Sequence, residues 1–134
     1  MPRLAIAFAL ARKVADDTDA RTPSELARQL GIGVTYAPLG ASRGGLEAIL
    51  IPVRTRFRIV CDPWVDPTTA PIEAAWIRET RIAHELAHTL FYAWGDCEAR
   101  RACVASPAEE RFCDAFAGAL VTVLRWPPKC HTAG

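Results

Sequence analysis

The sequence of 134 residues lacks a marked excess of charge of either sign. Sixteen Lys and Arg residues stand against fifteen Asp and Glu residues, which gives a formal net charge of +1. A protein that binds nucleic acid through a general basic field needs a clear positive excess, so we expect no direct nucleic-acid binding. Arg54, Arg56 and Arg58 form a local basic run. We interpret it as the solvated turn and strand face of a hairpin, with an acidic partner or nucleic acid as the alternative.

Long apolar runs are missing as well. No stretch approaches the roughly 20 apolar residues that cross a bilayer. Residues 1–12 superficially resemble a signal sequence, but their apolar stretch, residues 4–11, is short and no small-residue cleavage pattern follows it before Asp16. We therefore expect an N-terminal helix, a cytoplasmic protein and no membrane association.

The five cysteines include no C-x-x-C pair and are odd in number. A secreted disulfide scaffold usually has an even number of cysteines in a shorter chain. We expect free thiols in a reducing compartment. A metal cluster of Cys97, Cys103, Cys130 and His131 is conceivable, although their spacing gives it no support.

The pattern of apolar residues and turn signals predicts one α+β domain over residues 1–134. The chain has no internal repeat, and its apolar fraction of 51% is typical of a globular protein. The predicted elements are a helix over residues 3–16, a helix from Thr22 to Gly31, a strand over 34–36, a hairpin of 46–53 and 57–61, a loop over 62–71, a helix over 72–95, a loop over 96–105 and a helix over 106–125.

The motif that carries chemistry is H-E-x-x-H at residues 84–88. At about 100° per residue, His84 and His88 lie about 40° apart on one helix face, so both imidazoles can reach one metal ion. Glu85 projects elsewhere, where it can take a proton from a water in the open position of the metal. The helix is apolar over most of its circumference, and burying these polar groups unpaired would cost several kcal/mol. The alternative is that both histidines are merely hydrogen-bonded or exposed.

A zinc site needs a third protein ligand, and Glu110 is the candidate. It lies in the first turn of the next long helix, 22 residues after His88, which allows the chain to reverse. Asp114, one turn further on, is expected to accept the outer N–H of a ligating histidine. Glu109 is the rival ligand, although its capping-box position gives it a structural role. A third interpretation makes Glu110 only an acidic residue beside a helix N-terminus. The expected core stripe of this helix consists of Phe112, Ala115, Phe116, Ala119, Leu120, Val123 and Leu124.

These residues resemble the ImmA/IrrE family of metallopeptidases. The family pattern is roughly A-H-E-L-G-H-x-x-L-H, followed by E-x-x-A-N-x-F-A and a Leu-rich stretch that ends in proline. This chain has A-H-E-L-A-H-T-L-F-Y at residues 83–92 and E-R-F-C-D-A-F-A at residues 110–117. Three departures occur: Ala87 replaces Gly, Tyr92 stands where His is frequent, and Asp114 replaces Asn. The resemblance covers about residues 20–128. None of the three departures removes a metal ligand or the catalytic base that the family pattern implies.

The resemblance implies a small zincin-like (gluzincin-like) domain, in which a short sheet or hairpin packs on the HExxH helix and a Glu-bearing helix follows. It implies a zinc endopeptidase whose single Zn²⁺ is held by His84, His88 and Glu110. Glu85 is then the catalytic base, and Tyr92 either contacts the substrate or simply packs. The expected substrate is a helix-turn-helix transcriptional repressor, so that cleavage would derepress stress-response or mobile-element genes. Mn²⁺ or another divalent ion also fits a His₂Glu site.

Two other function classes stay open from the sequence. One is a catalytically weak or inactive zinc-binding module that sequesters a repressor or another protein partner. The other is a structural or toxin-type component of a phage or mobile element. The presence of both histidines together with Glu85 and Glu110 argues against the latter.

Overall fold

The computed structural model describes residues 2–92 and 105–127, and in these ranges it confirms the α+β prediction. Within residues 2–92 and 105–127 it contains four α-helices and one three-stranded sheet, together with 3₁₀ helices at Ala41–Arg43 and Thr89–Phe91. The helices and strands are α1 (Pro2–Asp16), α2 (Pro23–Gln29), β1 (Gly33–Tyr36), β2 (Ala48–Val53), β3 (Arg56–Cys61), α3 (Pro71–His88) and α4 (Pro107–Arg125). No helix of the described ranges is long and apolar enough to cross a membrane.

Helix α2 begins and ends as its sequence signals predict. The side chain of Thr22 accepts a hydrogen bond from the backbone N–H of Glu25 at 3.2 Å, and the Glu25 carboxylate accepts from the N–H of Arg21 at 2.8 Å. These two bonds form a variant of the capping box, because Glu25 reaches the N–H of the residue before the N-cap Thr22, and Pro23 occupies the first helical position. At the other end Gly31 adopts φ +79°, the left-handed conformation that terminates helices.

Strand β3 is the centre of a mixed sheet with the order β1-β3-β2. It pairs in parallel with β1, from Gly33 opposite Arg58, and antiparallel with β2, from Ala48 opposite Cys61. The predicted hairpin is therefore confirmed, although β2 begins two residues later than position 46. Along β3 the buried residues are Phe57, Ile59 and Cys61. They alternate with the exposed Arg56 and Arg58 and the partly buried Val60, because one face of the sheet packs against α3.

Helix α4 packs between α1 and α3, and this arrangement decides which of its residues are buried. Phe116 and Leu120 of the expected stripe lie in the core, whereas the rest of that stripe is only partly buried. The other buried positions are Cys113, Ala117 and Val121. The predicted core stripe of α4 is thus partly wrong, because α4 packs against α1 as well as α3 and its buried face is shifted. On α1, Ala7 and Ala11 are fully buried, and their small side chains allow close packing.

The predicted extension of the third long helix to residue 95 is wrong in the part that the structure describes. The α-helix ends at His88, a 3₁₀ turn covers Thr89–Phe91, and Tyr92 has an extended backbone with φ −127° and ψ 145°. The Thr89 hydroxyl donates to the carbonyl of Leu86 at 2.6 Å, a local bond that competes with regular helix. Residues 93–95 lie outside the described ranges, as do Cys97, Cys103, Cys130 and His131 of the conceivable cluster.

Candidate metal centre

The C-terminal half of α3 fixes two histidines at the edge of the core. Ala83, Leu86 and Ala87 are buried in the core, so the helix cannot rotate without exposing them. His84 and His88, one turn apart, line a cleft of about 670 Å³ beside this core. The His88 side chain is 2% exposed and that of His84 is 19% exposed. Both rings are therefore held in place by packing on the same helix face.

Three side chains from α3 and α4 converge on one point. The Nε2 atoms of His84 and His88 are 3.2 Å apart. The two carboxylate oxygens of Glu110 lie 2.9 Å from Nε2 of His84 and 3.2 Å from Nε2 of His88. Two ligands at about 2.0–2.1 Å from a tetrahedral zinc ion are about 3.3 Å apart. The two histidines and Glu110 therefore have the spacing and chemistry of a His₂Glu set that could hold a divalent metal ion.

The outer nitrogens of both rings face carboxylates. Nδ1 of His84 lies 2.7 Å from Oδ1 of Asp114. Nδ1 of His88 donates to Oε2 of Glu109 at 2.5 Å. Carboxylates in this position fix the orientation of a ligating imidazole and raise its basicity. Each ring thus presents Nε2 to the point that Glu110 also reaches.

Glu109 has a role that the sequence interpretation missed. Its backbone N–H donates to the side chain of Ser106 at 3.1 Å, as the capping signal predicts. Its side chain remains available and bonds the outer nitrogen of His88. The structure thus gives Glu109 and Glu110 different nitrogens of the same ring. Two adjacent acids in the first turn of the helix that follows an H-E-x-x-H motif were the available signal.

Glu85 lies beside the convergent atoms without joining them. Glu85 is 8% exposed, and one of its carboxylate oxygens is 3.9 Å from Nε2 of His84. Glu85 also lines the cleft. His84, Glu85 and His88 form a group whose donor atoms all lie within 4.8 Å of one another and that could hold a metal ion.

A second group of potential ligands lies on the opposite side of the His88 ring. It consists of His88, Glu109 and Cys113. Burial raises the pKa of the Cys113 thiol strongly, and the carboxylates of Glu109 and Glu110 raise it further. Cys113 is also fully buried, whereas both histidines line the cleft. The Nε2 side of the two histidines is therefore the better cation site.

The cleft lies between α3 and the chain that enters β2. Its walls are residues 45–49 on one side and the α3 face from Ile77 to His88 on the other. Arg81 connects the two walls, because its Nε donates to the Glu47 carboxylate at 2.8 Å. Its Nη1 donates to the carbonyl oxygens of Asp62, at 3.0 Å, and Trp64. These bonds hold the cleft wall against the helix.

Asp62, directly after β3, organises the loops behind that wall. Its buried carboxylate accepts backbone N–H groups from Leu39, Trp64 and Ala41 at 2.8, 2.9 and 3.0 Å. These hydrogen bonds lower the pKa of Asp62 to about 2, chiefly through Leu39. The ionised carboxylate therefore fixes the start of the segment that leads into the cleft wall.

Tyr92 is the one predicted site residue that the structure does not bring to the cleft. Its ring packs near Phe57, with 6.4 Å between the ring centroids. Among the described residues, those that line the cleft do not include Tyr92. The reason is the end of the α-helix at His88, since the extended backbone at Tyr92 leaves the ligand face.

Comparison with known proteins identified no relative of this chain. No family model matches the chain, and no curated protein or solved structure matches it. The resemblance to ImmA/IrrE metallopeptidases therefore rests on the two helical motifs.

Proposed function

We propose that this protein is a zinc-dependent endopeptidase with a zincin-like site of the ImmA/IrrE kind. The observation that carries the proposal is the convergence of His84, His88 and Glu110 at 2.9–3.2 Å. The carboxylates on both outer nitrogens add to it, because simple hydrogen bonding of two histidines does not require four aligned contacts. Zn²⁺ is the ion that such a set usually holds, and Mn²⁺ is the alternative.

The chemistry divides between the ion and Glu85. A zinc ion held by His84, His88 and Glu110 would supply a Lewis acid that polarises a peptide carbonyl and activates a water. The Glu85 carboxylate takes the proton of the attacking water and delivers it to the leaving amine. Its 8% exposure keeps bulk water away from the base while its position in the cleft wall leaves it accessible to a substrate.

The sheet offers a way to bind the peptide. Strand β2 pairs with β3 on one side, and in the described part of the chain no strand covers its other side. Ala48 and Ile49 at the start of β2 line the cleft. An extended peptide that adds to this edge gains backbone hydrogen bonds and runs past the histidines. This arrangement supports our proposal of a protein substrate, and the family resemblance suggests a helix-turn-helix repressor.

The test separates metal binding from proteolysis. Glu85→Gln should retain one zinc per chain but lose cleavage of unfolded casein and of co-expressed helix-turn-helix repressors. His88→Ala should lose both the metal and the cleavage. Asp16→Asn, at an exposed acidic position on α1, is the control and should change neither. Zinc content is measured by mass spectrometry of the purified protein, and proteolysis by the appearance of fragments. Undiminished cleavage by Glu85→Gln rules out its role as the base.

The position of Tyr92 favours a second candidate function. A Tyr92 hydroxyl that contacts substrate would add to zinc in stabilising the oxyanion, but the structure packs this ring near Phe57. A catalytically weak zinc module that sequesters a repressor or another protein would not need that contact. In that case the partner co-purifies intact with the metal-loaded protein, and chelation releases it. Fragmentation of the partner supports the endopeptidase.

A further inference from the structure

Two exposed aliphatic side chains face the same cleft as the histidines. Ile77 on α3 is 37% exposed, and Leu46 on the opposite wall is 55% exposed. Isolated exposed aliphatic residues are common on protein surfaces. Here, however, both line one concave site, and concave sites with apolar walls are where proteins bind ligand side chains. The pair therefore marks part of the cleft that is chemically different from the metal-binding part.

The helix geometry places this apolar part at a defined distance from the ligands. Ile77 precedes His84 by seven residues, which corresponds to about 10 Å along the helix and a rotation of only about 20°. Thr80 and Arg81 line the cleft between them. An extended peptide advances about 3.3 Å per residue, so about 10 Å corresponds to three residues.

We propose that Ile77 and Leu46 form a subsite for an aliphatic side chain of the peptide substrate, two or three residues from the scissile bond. The inference rests on the proposed endopeptidase function and specifies its substrate class. The charge distribution agrees with it. Arg81, the one Arg or Lys among the described residues that line the cleft, is paired with Glu47 and hydrogen-bonded to two carbonyl groups. That end of the cleft therefore has no uncompensated charge among its described lining residues to recruit a charged side chain.

The size of the expected effect follows from burial of one aliphatic side chain. A pocket that buries such a group discriminates it from a small polar one by about tenfold or more in kcat/KM. Ile77→Ser should remove most of this preference without changing zinc content, since Ile77 is distant from the ligand atoms. Ile72→Ser is the matched control, because Ile72 is on the same helix, is 67% exposed and does not line the cleft.

The experiment uses the full chain loaded with zinc and a library of capped decapeptides with randomised sequences. Cleavage products are identified by mass spectrometry for the wild type, Ile77→Ser, Leu46→Ser and Ile72→Ser. The subsite predicts enrichment of Leu, Ile, Val or Met at one position two or three residues from the cut. This enrichment should persist in Ile72→Ser and fall about tenfold in Ile77→Ser.

Failure of the subsite and failure of the proposed function give different results. Cleavage without aliphatic enrichment, or with enrichment that Ile77→Ser leaves intact, overturns the subsite and leaves the endopeptidase standing. Absence of cleavage overturns the endopeptidase, and retention of the same library on the immobilised zinc-loaded protein then decides the subsite. Aliphatic peptides retained by the wild type and lost by Ile77→Ser support it, whereas retention independent of Ile77 overturns it.

Discussion

Neighbouring residues Glu109 and Glu110 contact opposite nitrogens of His88, so replacing each in turn distinguishes a metal ligand from its support. Glu110 reaches the Nε2 atoms of both histidines, whereas Glu109 accepts from Nδ1 of His88. We expect Glu110→Ala to reduce the thermal stabilisation by zinc more than Glu109→Ala does. In the metal-free protein we expect the reverse order, with Glu109→Ala the less stable variant.

The magnitudes follow from the size of the chain and the burial of His88. An ion present at 1,000 times its Kd stabilises the native state by about 4 kcal/mol. Unfolding entropy of about 2.1 cal/mol/K per residue makes 1 kcal/mol worth about 3.6 °C in Tm for 134 residues. Zinc should thus raise the Tm of the wild type by about 15 °C. Loss of a carboxylate that supports a ligating histidine weakens metal binding about 10–100-fold. Zinc should therefore raise the Tm of Glu109→Ala by only about 5–10 °C.

The metal-free proteins provide the opposite comparison. Glu109→Ala leaves Nδ1 of a ring that is 2% exposed without its acceptor. A buried donor without a partner costs about 1–3 kcal/mol, or about 4–11 °C of Tm. The Glu110 side chain is 47% exposed, so its loss from the metal-free protein should cost less.

The assay is differential scanning calorimetry after chelator treatment, with and without added zinc, and Asp16→Ala serves as an exposed acidic control. We expect Glu110→Ala to show almost no zinc-induced rise. A rise equal to that of the wild type would refute Glu110 as a ligand. A greater loss of the rise in Glu109→Ala than in Glu110→Ala would transfer the ligand role to Glu109.

Two further predictions concern the framework around the site. Glu79→Ala should lower the free energy of unfolding by about 1–3 kcal/mol in urea denaturation. The reason is that the Glu79 carboxylate accepts hydrogen bonds from the hydroxyl and the N–H of Ser24 at 2.6 and 3.0 Å. An unchanged midpoint of the urea transition would contradict this prediction. The pKa of Asp62 in the folded chain, about 2, is below the unfolded value. Its stabilisation is therefore complete above about pH 4 and is lost as the pH falls through about 2, so Asp62→Asn should flatten the decline of Tm with acid. Parallel Tm profiles for variant and wild type would contradict that role.

Local sequence signals predicted the parts of the fold that local chemistry determines. The capping box at Thr22 and the left-handed Gly31 define α2, and the residues around Arg54 define the β2–β3 hairpin. The i, i+4 spacing of His84 and His88 placed both rings on one face, and that face turned out to line the cleft. Each of these features depends on residues that are close together in the chain.

The features that sequence reasoning missed depend on tertiary contacts or on competing local bonds. Apolar residues continue to Trp94 with helical spacing, yet the α-helix ends at His88. Periodicity alone therefore could not locate the end that moves Tyr92 away from the cleft. The dual use of Glu109 was hidden because a capping pattern describes its backbone N–H, while the fate of its side chain depends on how α3 and α4 pack. The rotated buried face of α4 likewise requires knowledge of both partner helices.

The division of the proposed metal site between the end of α3 and the first turn of α4 also affects the lifetime of the protein. A bound ion acts as a reversible crosslink between two segments that would otherwise separate independently. Opening of the first turn of α4 then requires release of the ion, so local unfolding becomes rarer as free zinc rises. Because proteases act on opened states, turnover of this protein in a cell would follow metal supply. Scarcity of zinc would lower both its activity and its abundance.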